Sequence, residues 1–433
     1  MPVFLNATDP DFETAFQALL SAKREDSPDV DATVAGIIAD VRQRGDAALI
    51  ELTAKFDRLT LTPDRLRISE AEIKDALAAV PAEELEALKT AADRIRAYHL
   101  RQRPEDAEWT DETGATLGWR WSAVSAAGLY VPGGLASYPS SVLMNDVPAK
   151  VAGVPRLAMV VPAPDGVLNP LVLAAANLAG VDEVYRVGGA QAIAALAYGT
   201  ETIAPVDKIT GPGNAFVAAA KRRVFGKVGI DMIAGPSEIL VVADADNDPD
   251  WIALDLLSQA EHDESAQSVL ITTDAAFGQA VADAVTARLE TLERRAIAGV
   301  SWRDFGAIIT VPDLVVAAAL TDRIAPEHLE LCVADPEALS ANITHAGAIF
   351  LGQWTPEAIG DYVGGPNHVL PTARSARFSS GLSVLDFMKR TTLARMTPAA
   401  LRTIGPAAET LAKTESLQAH GLSVTARLRK LNE

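Results

Sequence analysis

Short β-branched and aliphatic runs alternate with Ala-rich stretches through most of the chain after Pro104. Each run is about the length of one strand, and the stretches between runs have helical character. The runs are Ala158–Val161, Val184–Val187, Ile239–Ala243, Val269–Thr272 and Ile308–Val311. Strands that alternate with helices form parallel sheets, because a parallel pair of strands needs a crossover connection. The alternation therefore predicts an α/β fold.

The two ends of the chain are predicted to be largely helical. Residues 9–103 and 382–433 carry apolar residues at helical spacing. A length of 433 residues predicts two or three domains. Residues 130–234 are predicted to form one compact β/α unit, with a second, interrupted domain around it. The C-terminal segment is too small for its own core, so we expect it to pack on another domain or on a second subunit.

The charge of the chain argues against nucleic acid as a ligand. There are 57 acidic and 38 basic residues, a net charge of −19, and no Lys/Arg-rich run. Polyanions and anionic membrane surfaces are bound by clustered cations, so neither is an expected partner. Residues 1–11 lack the pattern of a signal peptide, and no apolar run is long enough to cross a bilayer. We therefore expect a cytoplasmic protein.

The cysteine content limits the kinds of metal site that the chain can form. The single cysteine, Cys332, excludes an internal disulfide and zinc sites built from several cysteines. It lies in an apolar run, where cysteine usually behaves as a small hydrophobic residue. Any metal must therefore be bound by His, Asp, Glu or Gln.

A helix predicted to begin at Asp248-Pro249 carries the first candidate ligands. Aspartate is favoured as an N-cap and proline at the first helical position. Gln259 and His262 are three residues apart in this helix, so they share a face and can direct an oxygen and an imidazole nitrogen at one cation. A polar helix end explains the same two residues without a metal.

An acid and an imidazole are adjacent in Glu327-His328, between Pro326 and an apparent strand at 330–333. Functional groups are common on loops that enter strands, and this pair supplies two proton acceptors of different strength. A solvated pair on a loop is the alternative interpretation.

Residues 360–368 combine Asp361 and His368 with three glycines and a proline. Glycine allows the backbone to turn sharply or to approach a ligand closely. A tight surface turn explains the glycines equally well, but not the carboxylate and the imidazole that flank them. Glu415 and His420 are five residues apart in the C-terminal segment and are unremarkable when taken alone.

Two glycine-containing turns follow apparent strands and begin helices. Gly211-Pro212-Gly213-Asn214 resembles a dinucleotide-binding turn only in part, because the third glycine is missing and proline occupies the turn. Gly188-Gly189-Ala190-Gln191 is a second turn of this kind. Either turn can offer backbone N–H groups to a phosphate at the start of a helix.

Taken together, long segments of the chain resemble the histidinol dehydrogenase family, from about Gly45 to the C-terminus. Seven segments in the same order carry the resemblance. They are 128–141 (GLYVPGGLASYPSS), 187–191 (VGGAQ), 211–214 (GPGN), 229–238 (GIDMIAGPSE), 257–263 (LSQAEHD), 325–329 (APEHL) and 364–371 (GGPNHVLP).

The resemblance implies one zinc ion per subunit and NAD⁺ as cofactors, with L-histidinol as the substrate. The implied zinc ligands are Gln259, His262, Asp361 and, from the tail of the other subunit of a homodimer, His420. The implied catalytic bases are Glu327 and His328. The implied substrate contacts are the zinc ligands and His328, with Ser237, His368 and Glu415. The implied dinucleotide contacts are Tyr130, Gln191 and Asn214.

The fold of the family is similar to two incomplete Rossmann-like domains, built of parallel sheets with flanking helices, in an intertwined homodimer. On this chain the resemblance implies four parts. They are an N-terminal helical extension (1–25), a first domain with the zinc and catalytic residues (26–129 and 237–381), a second domain with the dinucleotide contacts (130–236), and a C-terminal helical extension exchanged with the other subunit (382–433).

The implied reaction is the oxidation of an alcohol to an aldehyde and then to an acid, with one hydride passed to a separate NAD⁺ in each step. His328 is expected to take the alcohol proton, because an imidazole can accept and return protons near neutral pH. Glu327 is expected to activate water for addition to the aldehyde. Zinc is expected to act as a template that holds the nitrogen-rich substrate.

Three alternative functions remain open at this point. One is a family relative that oxidises a different amino alcohol or polyol, since substrate choice depends on a few pocket residues. Another is a zinc hydrolase with Glu327 as its base, which would work without NAD⁺. The third is a non-catalytic metal- or nucleotide-binding protein.

Overall fold

A computed structural model describes residues 2–21, 28–132, 138–233 and 235–433. Part of the 128–141 segment, with Gly133 and Gly134, lies outside the described residues, as does Ala234 at the predicted boundary of the compact unit. Within the described ranges, none of the helices combines the length and the apolar character that crossing a membrane requires.

The described residues form fourteen strands and eighteen α-helices. The strands are β1 (Val3–Asn6), β2 (Ala107–Thr110), β3 (Thr116–Ala123), β4 (Ala126–Tyr130), β5 (Arg156–Val160), β6 (Glu183–Tyr185), β7 (Lys208–Thr210), β8 (Gly229–Ile230), β9 (Glu238–Ala243), β10 (Gln267–Thr272), β11 (Ala307–Thr310), β12 (His328–Cys332), β13 (Ala348–Leu351) and β14 (Met388–Arg395). The helices are α1 (Phe12–Ser21), α2 (Pro28–Arg44), α3 (Asp46–Phe56), α4 (Pro63–Leu66), α5 (Glu70–Ala79), α6 (Ala82–Leu100), α7 (Pro139–Ala152), α8 (Pro170–Ala179), α9 (Gly189–Tyr198), α10 (Ala215–Val224), α11 (Pro249–Ala260), α12 (Ala275–Leu289), α13 (Arg295–Phe305), α14 (Leu314–Ile324), α15 (Pro336–Ser340), α16 (Glu357–Tyr362), α17 (Pro398–Thr414) and α18 (Gln418–Lys430).

Two parallel sheets confirm the predicted α/β architecture. The larger sheet has six strands in the order β1-β11-β10-β9-β12-β13, and the smaller has five in the order β6-β5-β4-β7-β8. The predicted strands at 239–243, 269–272 and 308–311 correspond to β9, β10 and β11. Their residues are almost entirely buried, as expected for parallel strands covered on both faces.

The six-stranded sheet has one apolar core on each face. One core packs α11, α12 and α13 on the sheet, with Leu256 and Trp302 among its buried residues. The other includes α14 and the N-terminal segment, with Phe16 of α1 fully buried. The segment predicted as a helical extension (1–25) thus also contains a strand, β1, which pairs with β11 in parallel and extends the sheet.

The helices of residues 28–100 pack on the five-stranded sheet. Val34 and Leu49 share a core with α9 and α10 on one face, and Leu88 and Ile95 share a core with α7 and α8 on the other. This differs from the implied grouping of 26–129 with 237–381. The helical spacing of this region predicts which residues are buried, but it contains no information about which of two similar sheets they cover.

A small antiparallel sheet of three strands, in the order β14-β3-β2, links the body to the C-terminal helices. Helices α17 and α18 pack against each other as a hairpin. Most of their residues are exposed, so this hairpin does not share in the four apolar cores described above. We call β14, α17 and α18 the C-terminal arm.

The segment between β8 and β9 joins the two parallel sheets. It leaves the carboxyl end of β8 and enters the amino end of β9, so along this connection the chain passes from the carboxyl edge of the smaller sheet to the amino edge of the larger one. The candidate residues from the sequence lie on these two edges, except Glu415 and His420, which lie on the C-terminal arm.

Candidate functional site

Glu327 and His328 lie at the amino edge of the six-stranded sheet. His328 is the first residue of β12 and is in register with Ile239 of β9 and Ala348 of β13. The strand therefore begins two residues before the predicted 330–333 segment. Glu327 and His328 are 5% and 3% exposed, which excludes the interpretation of a solvated loop pair.

The His328 ring is held in one orientation. Its Nδ1 lies 3.0 Å from the carbonyl oxygen of Glu238, which can only accept, so Nδ1 carries the hydrogen. Its Nε2 has no hydrogen-bond partner among the described residues and lies 3.5 Å from Oε1 of Glu357. Burial lowers the pKa of His328 to about 4. The ring is therefore neutral near pH 7, with a free basic nitrogen at Nε2.

The Glu327 carboxyl is fixed by the neighbouring strand. Its Oε2 accepts a hydrogen bond of 2.9 Å from the backbone N–H of Glu238. Burial raises the pKa of Glu327 well above its usual value, and the nearby carboxylates of Glu238, Asp361 and Glu357 raise it further. In this environment the carboxyl keeps its proton unless positive charge enters the site.

Gln259 and His262 approach each other at the end of α11. The N-cap is as predicted, since the Asp248 side chain accepts from the N–H of Asp250. The helix ends at Ala260, however, so His262 lies in the following turn rather than on the helix face. Gln259 Nε2 is nevertheless 3.2 Å from His262 Nδ1. Gln259 is fully buried, which is unlike an ordinary polar helix end.

Asp361 and His368 close the site from α16 and the loop that follows it. His368 Nδ1 lies 3.1 Å from the backbone oxygen of Asp361 and 3.5 Å from its Oδ1. Burial opposes ionisation of Asp361, but its hydrogen bond to His368 and its electrostatic interactions with the rings of His368, His328 and His262 outweigh burial and lower its pKa to about 2. Asp361 is therefore a carboxylate. The other ring nitrogen of His368 is 3.3 Å from Ser141 Oγ.

Three carboxyl groups that begin at Glu357, next to His328, were not found from the sequence: Glu357 and Glu330 are buried and Asp255 is half-buried. Glu357 begins α16, and its N–H donates to Glu330 at 2.5 Å. Glu330 in turn is hydrogen-bonded to Asp255 of α11, and burial raises the pKa of all three groups, that of Asp255 to about 6. Glu357 precedes Asp361 by four residues, so helical spacing could have identified it as a neighbour on the same face.

The residues at this edge fit a divalent cation. Gln259 Oε1 is buried and has no hydrogen-bond partner among the described residues. Burial lowers the pKa of His262, which keeps its imidazole neutral, and Asp361 supplies a carboxylate. A second group shares Asp361, since ligand atoms of His328, Glu357 and Asp361 lie within 4.8 Å of one another. Neutral nitrogen and anionic oxygen donors together suit a borderline metal ion.

The predicted substrate contacts Ser237 and Glu415 and the predicted ligand His420 are not joined to this cluster by hydrogen bonds. Ser237 immediately precedes β9 and is half-buried. Glu415 ends α17 and His420 lies in the first turn of α18, both exposed on the C-terminal arm. Neither arm side chain has a hydrogen bond or ion pair to another described residue.

The predicted dinucleotide contacts lie at the carboxyl edge of the five-stranded sheet. Tyr130 ends β4, and its hydroxyl accepts a 3.1 Å hydrogen bond from the N–H of Gly189 at the start of α9. Gln191 is buried in the first turn of α9. Asn214 caps α10, accepting from Phe216 and Val217 N–H groups. The crevice between β4 and β7 is the topological switch point of this sheet, where parallel α/β folds commonly bind ligands.

Comparison with known proteins gives matches along almost the whole chain. A profile of the histidinol dehydrogenase family matches residues 20–428. The histidinol dehydrogenase of Ruegeria pomeroyi is 81% identical over 432 residues, covering 100% of both chains. That of Cereibacter sphaeroides is 77% identical over 433 residues, again covering 100% of both. The chain belongs to the histidinol dehydrogenase family.

A solved structure extends this relationship to three dimensions. The crystal structure of histidinol dehydrogenase from Elizabethkingia anophelis matches with a TM-score of 0.95 at 37% identity, covering 100% of this chain and 99% of that one. The fold described above is therefore that of the histidinol dehydrogenase family. As a member of this family the chain is an oxidoreductase.

Proposed function

We propose that the chain oxidises L-histidinol to L-histidine through L-histidinal, in a four-electron, zinc-dependent reaction that reduces two NAD⁺. The observation that carries this proposal is the buried pair of Glu327 and His328, which differ in proton affinity and lie beside a set of cation ligands. Two proton acceptors suit two successive oxidations. The family relationship supplies the substrate.

Gln259, His262 and Asp361 would hold the zinc ion, with His420 from a second copy of the chain as the fourth ligand. When bound, zinc supplies a positively charged anchor for the amino and imidazole nitrogens of the substrate. The unpartnered, buried Oε1 of Gln259 supports this assignment, because a buried amide oxygen without a donor is costly unless it binds a ligand.

In the first oxidation, His328 Nε2 accepts the proton of the substrate hydroxyl. At the same time, a hydride leaves the carbon that bears this hydroxyl and is transferred to NAD⁺. The hydrogen bond from Nδ1 to the Glu238 carbonyl keeps Nε2 free for this role. It also stabilises the ring after it has gained the second proton. The product of this step is the aldehyde, one NADH and a protonated His328.

In the second oxidation, Glu327 takes a proton from the water that adds to the aldehyde. As the water adds, protonated His328 returns its proton to the aldehyde oxygen, so the adduct is the neutral diol. His328 then accepts a hydroxyl proton of this diol as the second hydride leaves for another NAD⁺. The raised pKa of Glu327 means that its carboxylate forms only when positive charge is nearby, as in the loaded site.

The remaining residues have binding roles in this proposal. Ser237, His368 and, from the second copy, Glu415 bind the substrate along with the zinc ligands. Tyr130, Gln191 and Asn214 bind NAD⁺ at the switch point of the five-stranded sheet. The protein acts as a cytoplasmic homodimer in which the C-terminal extension (382–433) is exchanged, so each site takes residues from two chains. The exposed positions of Glu415 and His420 in a single chain support this exchange.

The decisive experiment counts NADH formed per L-histidinol consumed by the zinc-loaded protein, in parallel with a sample stripped by chelator. We expect two NADH per substrate, no turnover after chelation, and recovery when zinc is restored. One NADH would contradict the double oxidation. Turnover without NAD⁺ would favour a hydrolase, and no NADH with zinc present would point to another amino alcohol or diol.

A further inference from the structure

A buried ion pair at the carboxyl edge of the five-stranded sheet has no part in the proposed chemistry. Lys221 of α10 and Asp231, which follows β8, form this ion pair. Their side chains are only 3% and 1% exposed. A buried ion pair contributes little net stability compared with apolar residues of the same size, so its presence calls for a role other than stability alone.

The two side chains bind both polar groups of one residue, Gly211. Lys221 Nζ donates to the Gly211 carbonyl oxygen at 2.9 Å. Asp231 Oδ2 accepts from the Gly211 N–H at 2.8 Å, and its Oδ1 accepts from the N–H of Met232 at 2.6 Å. The ion pair therefore fixes the first residue of the turn at 211–214 from two directions.

Gly211 lies in a crowded position that only glycine fits. Its φ of +108° lies in the region that favours glycine, and a Cβ there would be 2.1 Å from the carbonyl oxygen of Tyr130. The backbone at Gly211 thus lies directly against the end of β4. Tyr130, through its hydroxyl, also binds the N–H of Gly189. One shift of Gly211 would accordingly disturb both turns that carry the proposed dinucleotide contacts.

We propose that Lys221 and Asp231 are positioning residues for the dinucleotide, because they hold the 211–214 turn and hence Asn214 in the geometry that binds NAD⁺. This inference rests on the proposed function, since it takes the switch point as the NAD⁺ site. Lys221 does not bind a phosphate itself, because its ammonium group is buried and paired with Asp231.

The role of Asp231 extends toward the other sheet. Its N–H donates to the Ile209 carbonyl oxygen at 3.1 Å, continuing the pairing of β7 and β8, and the segment after it leads to Ser237 and β9. The same carboxylate therefore orders the cofactor turn and the start of the connection to the chemical site. A change at Asp231 is therefore expected to affect both the 211–214 turn and the connection to β9.

The test compares three full-length, zinc-loaded variants with the wild type: Lys221→Met, the double variant Lys221→Met with Asp231→Asn, and Arg223→Met as control. Arg223 lies on the same helix and forms an exposed ion pair with Asp31, with no hydrogen bond to the 211–214 turn. NAD⁺ dissociation constants are measured by calorimetry, together with both KM values, kcat, zinc per subunit and the urea midpoint.

We expect Lys221→Met to raise the Kd and KM for NAD⁺ by about tenfold or more. This is the change in affinity expected when a displaced 211–214 turn loses one hydrogen bond to the cofactor. The KM for L-histidinol and the zinc content should stay within about twofold, as should all values for Arg223→Met. The double variant buries no unpaired charge, so it keeps the test valid if Lys221→Met fails to fold. It should still bind NAD⁺ more weakly than the wild type.

A folded double variant whose NAD⁺ affinity equals that of the wild type would overturn the inference and leave the pair with a purely structural role. A lower urea midpoint with unchanged NAD⁺ binding would do the same. Failure of the proposed function would be seen in the wild-type protein, as oxidation of L-histidinol without NAD⁺ binding. That result would overturn both the proposed function and the positioning role of Lys221 and Asp231.

Discussion

In both parallel sheets the candidate residues lie where the strand order reverses. In the smaller sheet they are at the carboxyl edge, and in the larger sheet they are at the amino edge. In the smaller sheet β4, and in the larger sheet β9, is followed along the chain by neighbours on one side and then by neighbours on the other, while β1 only extends the edge of the larger sheet. The strand order therefore reverses between β4 and β7 and between β9 and β12. In the smaller sheet, Tyr130 and Asn214 lie at the carboxyl ends of the strands. In the larger sheet, His328 and Glu238 lie at the amino ends.

The difference follows from the direction of the helices. Helices begin at the carboxyl edge of a parallel sheet, so that edge presents free N–H groups and partial positive charge, which suits a phosphate. Helices end at the amino edge, which receives their carbonyl groups and partial negative charge. Helix α11 ends there, next to Gln259 and His262. The candidate cation ligands thus lie at the edge where helix dipoles favour a cation.

The comparison predicts that variants at the amino edge of the larger sheet change the chemistry. The largest effect is expected for His328→Ala, which removes the group proposed to accept the proton in both oxidations. It should lower kcat by about 10²–10⁴-fold with little change in the KM for NAD⁺. Steady-state kinetics decide this, with His345→Ala as a control at a half-buried histidine that has no role in the proposed chemistry. A loss confined to NAD⁺ affinity would break the comparison.

Replacing the neighbouring acid should separate the two oxidations. Glu327→Gln keeps the shape of the side chain and an acceptor for the Glu238 N–H, but it cannot take a proton. We expect the oxidation of L-histidinal to fall by about 10²-fold or more and that of L-histidinol to fall less. Feeding each substrate separately measures the two steps. Equal losses would show that Glu327 does not serve the aldehyde step alone.

A variant in the C-terminal arm should lower zinc retention, although the arm belongs to neither sheet edge. His420→Ala removes the ligand proposed to come from a second chain, and we expect zinc affinity to fall by about 10–100-fold. Zinc per subunit after dialysis against a weak chelator measures this. Glu433→Ala, at the end of the same arm, is the control. Normal zinc retention in the His420 variant would contradict the exchanged arm.

At the carboxyl edge of the smaller sheet, cofactor binding should change instead. Gly211→Ala introduces a methyl group against Tyr130 at a φ of +108°, so it should raise the KM for NAD⁺ by about tenfold and cost about 1–3 kcal/mol of stability. Gly226→Ala is a matched control, because Gly226 also has a positive φ (+97°) but open space around it. Equal effects of both variants on the KM for NAD⁺ would attribute the change to backbone strain alone.

The smallest effect concerns stability only. Asp146 of α7 is fully buried, and neither carboxyl oxygen has a hydrogen bond among the described residues. Burial raises its pKa well above 3.8, so the folded state holds a proton that the unfolded state releases, and stability falls as pH rises above about 4. Asp146→Asn should remove this loss and stabilise the fold by about 1–3 kcal/mol at pH 8.

Urea unfolding at several pH values measures the Asp146 effect. The advantage of the variant should shrink as pH falls and level off below about 4, where Asp146 becomes protonated in the unfolded state as well. The kinetic constants should not change. An advantage that is independent of pH would show that the Asp146 carboxyl does not titrate on unfolding.

The sequence predicts local structure well where a capping residue or a turn decides it. Asp248 and Asn214 both cap helices as their residue types favour, and the apolar runs become strands of the two parallel sheets. The burial of Glu327 and His328 could not be predicted in this way, because it depends on β9 and β13 pairing on both sides of β12. Local spacing contains no information about such long-range pairing.

The carboxyl cluster was missed for a related reason. Glu330 lies in an apolar strand and Asp255 in the middle of a helix, and each alone is an ordinary acidic residue. They meet only because α11 packs on β9, the strand that pairs with β12. The arm shows a further limit, since its exposed Glu415 and His420 acquire a role only through the family resemblance.

The exposed arm has a consequence for genetic complementation. Under the proposed exchange, a site built from two chains can be repaired by mixing two inactive proteins. A chain with His328→Ala still supplies a complete arm, and a chain with His420→Ala still supplies a complete body. Random reassembly makes half of the dimers hybrid, each with one intact site of two, so the mixture should regain about one quarter of wild-type activity.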